Sequence, residues 1–271
     1  MRELTSARRK LTRAQEHFET LNSEIDDWTS SNASSVSIES NAEGTEHRFV
    51  VSISSSPDSD RWGCLIGDCA HNLRSALDHI MWEVSDPKKR DSRTEFPIFA
   101  TPVRTPKGAL VPAFSGKIQG ISQQPIRDLI EGCQPCNTVG GPPKRGVLWV
   151  IHRIDIVDKH HTIVPALLEH VDPTDLRASL HFADDSPTIG PPHHIAKNDQ
   201  PIGDGDTLLT LFTEGRVEHV ESDSQFSLRV GIDVRPLDIE LGIPFGPLPA
   251  LLDEAGRAVE NIVATVEAEL S

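Results

Sequence analysis

Two stretches of the sequence gather side chains capable of chemistry. GDCAHNLRSALDHIMW, residues 67–82, holds Asp68, His71, Asn72, Arg74, Asp78 and His79 in positions that otherwise have helical spacing. A histidine beside a carboxylate moves protons near neutral pH, and an arginine fork takes a phosphate or carboxylate through parallel N–H bonds. LWVIHRIDIVDKHH, residues 148–161, sets Asp155 and Asp158 close together on one arc of a helix that is apolar almost all round, with Lys159 adjoining and His160 following. Carboxylates on so apolar a helix need partners, because an unpaired buried charge costs several kcal/mol or is given up. Arg74, His71 and His79 are the obvious partners. The two helices are therefore expected to face each other, with Asp155 or Asp158 near Arg74 or a histidine.

On a helical wheel of about 100° per residue, Ile66, Cys69, Leu73, Ala76, Leu77, Ile80 and Val84 fall on one side of the first stretch. Asp68, His71, Asn72, Arg74, Ser75, Asp78, His79 and Trp82 fall on the other. A solvated helix face draws mostly on Lys, Glu, Gln and Arg, which lose little rotamer freedom in a helix. Lys is absent from this face and Glu first enters at Glu83. The polar arc is expected to be either a paired network that fixes packing or a site.

Other candidates carry less. His71, His79, Asp155, Asp158 and His160 have the donor types for zinc, iron or manganese. A di-metal bundle would want glutamates on the first helix seam, and that seam is apolar. CQPC at 133–136 has the spacing of half a zinc site or a redox pair, but no second CxxC follows and it comes after a helical stretch rather than before one. PPHH at 191–194 reads as an exposed turn. No phosphate-binding glycine loop, dinucleotide fingerprint or serine-hydrolase elbow is present, so no cofactor is expected.

The elements that must position these residues follow from periodicity. Leu4, Ala7, Leu11, Ala14, Phe18, Leu21, Ile25 and Trp28 alternate at spacings of three and four, predicting a long helix over about 3–29. A hairpin through NAEG is expected at about 35–55, and a second helix at about 60–85 that starts at PDSD and stops at SDPKKRD. Residues 91–143, rich in proline and glycine, are expected to be mostly loop around one short helical piece, PIRDLIEGC. Helix is expected again through KRGVLWVIHRIDIVDKHHTIVPALLEH. Strands are expected at 176–182, around Leu209 and Leu211, and at 226–234, with a polar excursion at 184–206 and an amphipathic helix from Leu248 to Leu270. These add up to one α+β domain over 1–271, a bundle of the long N-terminal helix, two central helices and the C-terminal helix, packed on an antiparallel sheet of about five strands.

The formal charge of −15 argues weakly against nucleic acid at long range, although local basic patches overrule a global sign. Four cysteines in 271 residues read as free thiols. The absence of a signal-like or spanning apolar run leads to the expectation of a cytoplasmic protein without a membrane partner.

Two likenesses attach to these residues. Gly67, Asp68, His71, Asn72, Leu73, Arg74, Ala76, Leu77, Asp78 and His79, with Asp158, Lys159 and His160, are similar to the GD-x-x-HNLRSALDH and DKH motifs of an uncharacterised bacterial family, which implies no function. LRSALDHIMW resembles the R-x-x-x-x-H signature of HEPN domains, many of them metal-independent ribonucleases. That resemblance implies Arg74 on phosphate charge, His79 on a ribose hydroxyl or leaving oxygen, RNA as the partner and two motifs meeting across a homodimer. The expected function is thus a HEPN-like ribonuclease or RNA-phosphate-binding protein using Arg74 and His79. Asp68, His71, Asn72, Asp78, Asp155, Asp158, Lys159 and His160 are its supporting network. The competing expectations are a non-enzymatic protein with a buried network and a partner-binding surface, and a metal-dependent hydrolase.

Overall fold

In the computed structural model, residues 4–31, 34–137, 142–159, 165–170, 178–182, 194–197, 202–222, 227–232 and 248–271 are described. Contacts divide the chain into two compact units, one of residues 1–23, 59–164 and 233–271 and the other of 24–58 and 165–232.

The first unit is built around α2 (Ser59–Val84), whose Ile66, Leu73, Leu77 and Ile80 are fully enclosed. Each such side chain contributes about 1.5–3 kcal/mol of burial. Against α2 pack α5 (Val147–Asp158) and α6 (Leu248–Glu269), which bury Val150, Ile151 and Ile154, and Ala255, Val259 and Val263 respectively. α1 (Thr5–Ser31) crosses the boundary between the units; within the first unit its seam residues Leu4, Ala7, Ala14 and Leu21 are buried, while Leu11 and Phe18 are only half-buried. Its first turn is held by α6. Glu267 accepts from the Leu4 N–H at 3.1 Å and pairs with Arg8 at 2.7 Å, an anion where a helix N-terminus favours one.

α2 ends where the sequence says it should: Asp86 caps a single 3-10 turn at Pro87–Lys89 through the Lys88 N–H, 2.9 Å away. The proline- and glycine-rich stretch after it is more structured than its composition suggests. It carries α3 (Pro112–Ile118) as well as the expected short helix, α4 (Gln124–Gly132), each opening on a proline near its first position. Beyond α4 comes the CQPC segment. Its Gln134 is fully buried, accepts from the Phe99 N–H at 2.9 Å, and donates to the Pro97 and Ile130 carbonyls at 2.9 and 2.8 Å.

The second unit is strand-based. β1 (Ser34–Ser40) and β2 (Glu46–Ile53) form the expected hairpin, and β6 (Thr207–Phe212) and β5 (His194–Lys197) continue it into a four-stranded antiparallel sheet of order β1-β2-β6-β5. The turn needs glycine at position 44, where φ is +67° and a Cβ would lie 2.7 Å from the Val217 carbonyl. Asn41 completes it by accepting the Thr45 and Glu46 N–H groups. β3 (Pro165–His170) with β8 (Ser227–Ile232), and β4 (Ala178–Phe182) with β7 (Val217–Ser222), make two further antiparallel pairs. Phe49, Val51, Leu208, Leu209, Leu211 and Val217 form the core of this unit.

The α+β class stands, while several element boundaries differ from expectation. Helix was expected through His170, yet α5 stops at Asp158 and Pro165–His170 is a strand. Pro165 follows the β-branched run Thr162–Val164, and the residue before a proline disfavours the helical region. β7 and β5 were not anticipated, the latter inside the polar 184–206 excursion. The described strands are shared among one four-stranded sheet and two pairs rather than gathered in one sheet of about five.

Replacing Gln134 by Met keeps volume but orphans the Phe99 N–H and the Pro97 carbonyl. Urea denaturation should show a loss of at least about 2 kcal/mol, since each unsatisfied buried group costs about 1–3. A loss below about 0.5 would show that the amide is dispensable.

Candidate functional site

The facing arrangement of α2 and α5 brings the two chemical stretches together. His71 Nδ1 lies 2.8 Å from Asp155 Oδ1, and Lys159 Nζ lies 2.8 Å from the other oxygen, Oδ2. An ionised carboxylate only accepts, so the imidazole Nδ1–H is the donor. The Asp155 side chain is 5% exposed and the His71 side chain 48%. A buried carboxylate therefore orients an imidazole whose opposite nitrogen, Nε2, is turned toward Ser75 Oγ at 3.4 Å. Of the partners expected for Asp155, the structure selects His71.

Arg74 has a different employment. It is 6% exposed; Nη2 donates to the Phe96 carbonyl at 2.8 Å, and Nη1 lies 2.8 Å from Asp78 Oδ1 as an ion pair off the line of a hydrogen bond. Asp78 in turn accepts the Phe96 N–H at 2.8 Å. One residue's two backbone groups are thus clamped by side chains one turn apart on α2. Burial pushes the Asp78 carboxyl up, with Arg74 and the Phe96 N–H pulling the other way.

The remaining predicted residues scatter around this centre. Asn72 donates to the Asp68 carbonyl at 2.8 Å and accepts from Lys10 at 3.2 Å, which joins α1 to the network. Asp68 is exposed and lies 3.9 Å from His17. The Asp158 carboxylate sits directly on the α-carbon of Gly67, where any Cβ would overlap it. Its carboxyl is raised by burial and by the charges of Asp68 and Asp155. His79 is half-buried and, among the described residues, makes no hydrogen bond or ion pair. His160 lies outside the described residues.

Sequence reasoning passed over His152, one turn before Asp155. Burial, then the nearby charge of Arg74, depress it to about 4, and its Nδ1 is enclosed without a hydrogen-bond partner. The signal available was its position: i−3 from Asp155 puts it on the same arc. Gly67 was also missed as the seat of Asp158.

Among the described residues no three His, Cys, Asp or Glu side chains are placed to hold a metal ion. Burial pushes Cys133 up to about 12 and raises Cys136 as well, so neither is a ready thiolate. No helix in the described residues is long and apolar enough to cross a membrane. Compared with known proteins, the chain matches no family model, no curated protein and no solved structure.

Two outcomes are expected. Gly67→Ala should destabilise the chain by displacing Asp158, and Asp158→Ala should relieve most of that cost in the double variant, whereas strictly additive effects would disprove the seat. For His152, a folded-state pKa depressed below the ordinary 6.5 means that the unfolded chain protonates first, so stability is full above about 6.5 and falls as pH drops toward about 4. Urea midpoints measured across that window should fall less steeply in His152→Gln, and parallel profiles would contradict the assignment.

Proposed function

We propose that the chain is a metal-independent, ribonuclease-like hydrolase acting on RNA in the cytoplasm, with His71 rather than His79 as the main proton-transfer group. The observation that carries this reading is the buried Asp155 carboxylate spent on orienting a half-exposed imidazole. A carboxylate in that position fixes the tautomer and stabilises the imidazolium formed when Nε2 takes a proton.

In the proposed reaction His71 Nε2 removes the proton of a ribose 2′-hydroxyl, and the 2′-oxygen attacks the adjacent phosphorus. The bond from phosphorus to the 5′-oxygen breaks, that oxygen takes a proton from water at this half-exposed site, and the hydroxide so formed takes back the proton held on His71 Nε2, restoring the imidazole. The products are a 2′,3′-cyclic phosphate and a free 5′-hydroxyl. Lys159, bound to the same carboxylate as His71, supplies a cation beside the developing phosphorane charge. His79, on the same side of α2, is available to a second contact with the strand. Arg74 serves through the Phe96 clamp, a positioning role in place of the phosphate contact that the HEPN resemblance implies.

The burial of Arg74 favours a second reading, in which the whole cluster is a structural network and the protein works through a binding surface. Cleavage of single-stranded RNA in the presence of chelator separates the two. The wild type should cleave, His71→Ala should lose at least about 100-fold, the usual worth of a general acid–base group, and His79→Ala should lose less. Arg74→Ala should lower the melting temperature along with activity. A wild type without activity, or a His71→Ala variant as active as the wild type, would overturn the proposal.

A further inference from the structure

Several cations of the first unit are matched by a carboxylate. Arg8, Arg74, Arg93, Arg104, Lys117 and Lys159 each have one within ion-pair distance. Four cations gathered where α2 ends, Lys88, Lys89, Arg90 and Arg127, have none among the described residues. Three of them are anchored on neutral carbonyls instead. Lys89 Nζ donates to Gln119 O at 3.3 Å, Arg90 Nε and Nη2 donate to Ser85 O and Glu83 O at 3.1 and 3.3 Å, and Arg127 Nε donates to Ile121 O at 2.6 Å. Such anchoring fixes the cationic heads without neutralising them and leaves each with unused N–H groups.

These three heads line one cleft of about 470 Å³, formed between the end of α2 and residues 119–127. Its two sides are tied by the Asp86 N–H to the Gly120 carbonyl at 2.8 Å and by the pairing of Ser85 with Ile121. Glu83 and Asp86 also line it, so the cleft is cationic but not exclusively so. Beside it stands Trp82, 45% exposed, one of the few large apolar side chains left in solvent; the Arg90 guanidinium carbon lies 5.4 Å from its ring centroid. Fixed cations next to an exposed aromatic face match a phosphate next to a base. In a chain of formal charge −15 this local excess lowers the repulsion that a polyanion would meet.

Trp82 also shares a stripe of α2 with His71 and Ser75. At 1.5 Å per residue it stands on the order of 16 Å along the helix from His71.

We propose that the cleft at the end of α2 binds single-stranded nucleic acid, with a phosphate among Lys89, Arg90 and Arg127 and the neighbouring base stacked on Trp82. This deepens the RNA reading and rests on it for the choice of RNA, naming the face along which the strand reaches His71.

The test uses the full chain and labelled oligothymidylate, which lacks the 2′-hydroxyl and is not cleaved by the proposed chemistry, followed by fluorescence anisotropy at several salt concentrations. Wild type should bind with an affinity that falls linearly against the logarithm of salt. Trp82→Ala and Lys89→Glu, both at exposed side chains, should each weaken binding about tenfold or more without lowering the melting temperature, and oligouridylate should compete while duplex RNA should not. Binding unchanged in both variants, no binding at low salt, or equal competition by a mononucleotide or duplex would overturn the proposal. If the oligomer binds as described but RNA is not cleaved, the binding face stands and the ribonuclease reading fails. If RNA is cleaved equally well by wild type and both variants, the cleavage reading stands and the binding face fails.

Discussion

The first unit depends on a backbone problem. Residues 96–99 run through its interior, with Phe96 and Pro97 buried, yet belong to no helix or strand. A buried peptide group without a partner costs about as much as a lost hydrogen bond. Side chains of α2 and of the segment just after α4 satisfy these groups. Arg74 and Asp78 of α2 take both backbone groups of Phe96, Gln134 takes the Pro97 carbonyl and the Phe99 N–H, and the Cys136 N–H reaches the Phe99 carbonyl at 3.1 Å. The unusual polar composition of α2 is thereby divided in two. Part of it faces inward to hold irregular chain, and part faces outward around His71.

That division explains what the amino-acid sequence discloses and what it hides. The seven apolar positions read on one side of α2 are all buried, because burial follows the projection of helical period 3.6, but Leu65, Ala70, Met81, Asn72 and Arg74 are buried as well and widen the enclosed face beyond that reading. That α5 faces α2 was readable from charge, since carboxylates on an apolar helix must find partners. The particular partner of Arg74 was not readable. It is a main-chain carbonyl, and every residue type carries the same one. Gln134 was hidden for a related reason: the cysteines on either side of it drew attention to metal and redox chemistry, while the amide between them did the packing. α3 was missed because seven residues give too little periodicity to outweigh a proline- and glycine-rich background. The strand at Pro165–His170 was missed because an apolar run of that length fits either period.

Asp155 and Asp158, one turn apart on the same helix, show how environment separates like groups. Asp155 has two donors on its two oxygens and is nearly enclosed. Asp158 has no such pairing among the described residues, and burial together with the charges of Asp68 and Asp155 drives its carboxyl toward protonation. The same helix therefore carries one carboxylate tied down by two donors and one raised toward protonation. Asp158 is seated by Gly67 on the neighbouring helix, which has no side chain to interfere.

The contact between the start of α1 and Glu267 joins positions 263 apart in the chain. A nascent chain that has released α1 has nothing yet to satisfy the Leu4 N–H or to neutralise Arg8 in this way until α6 has been synthesised. The strand-based unit is interrupted in the same manner, since its hairpin at 34–53 waits for β6 at 207–212 to extend the sheet. Closing loops of this length costs entropy that local contacts do not repay. Both units are thus committed to folding late, after most of the chain is available, and the half-formed hairpin edge and the uncovered seam of α1 are the surfaces exposed in the interval.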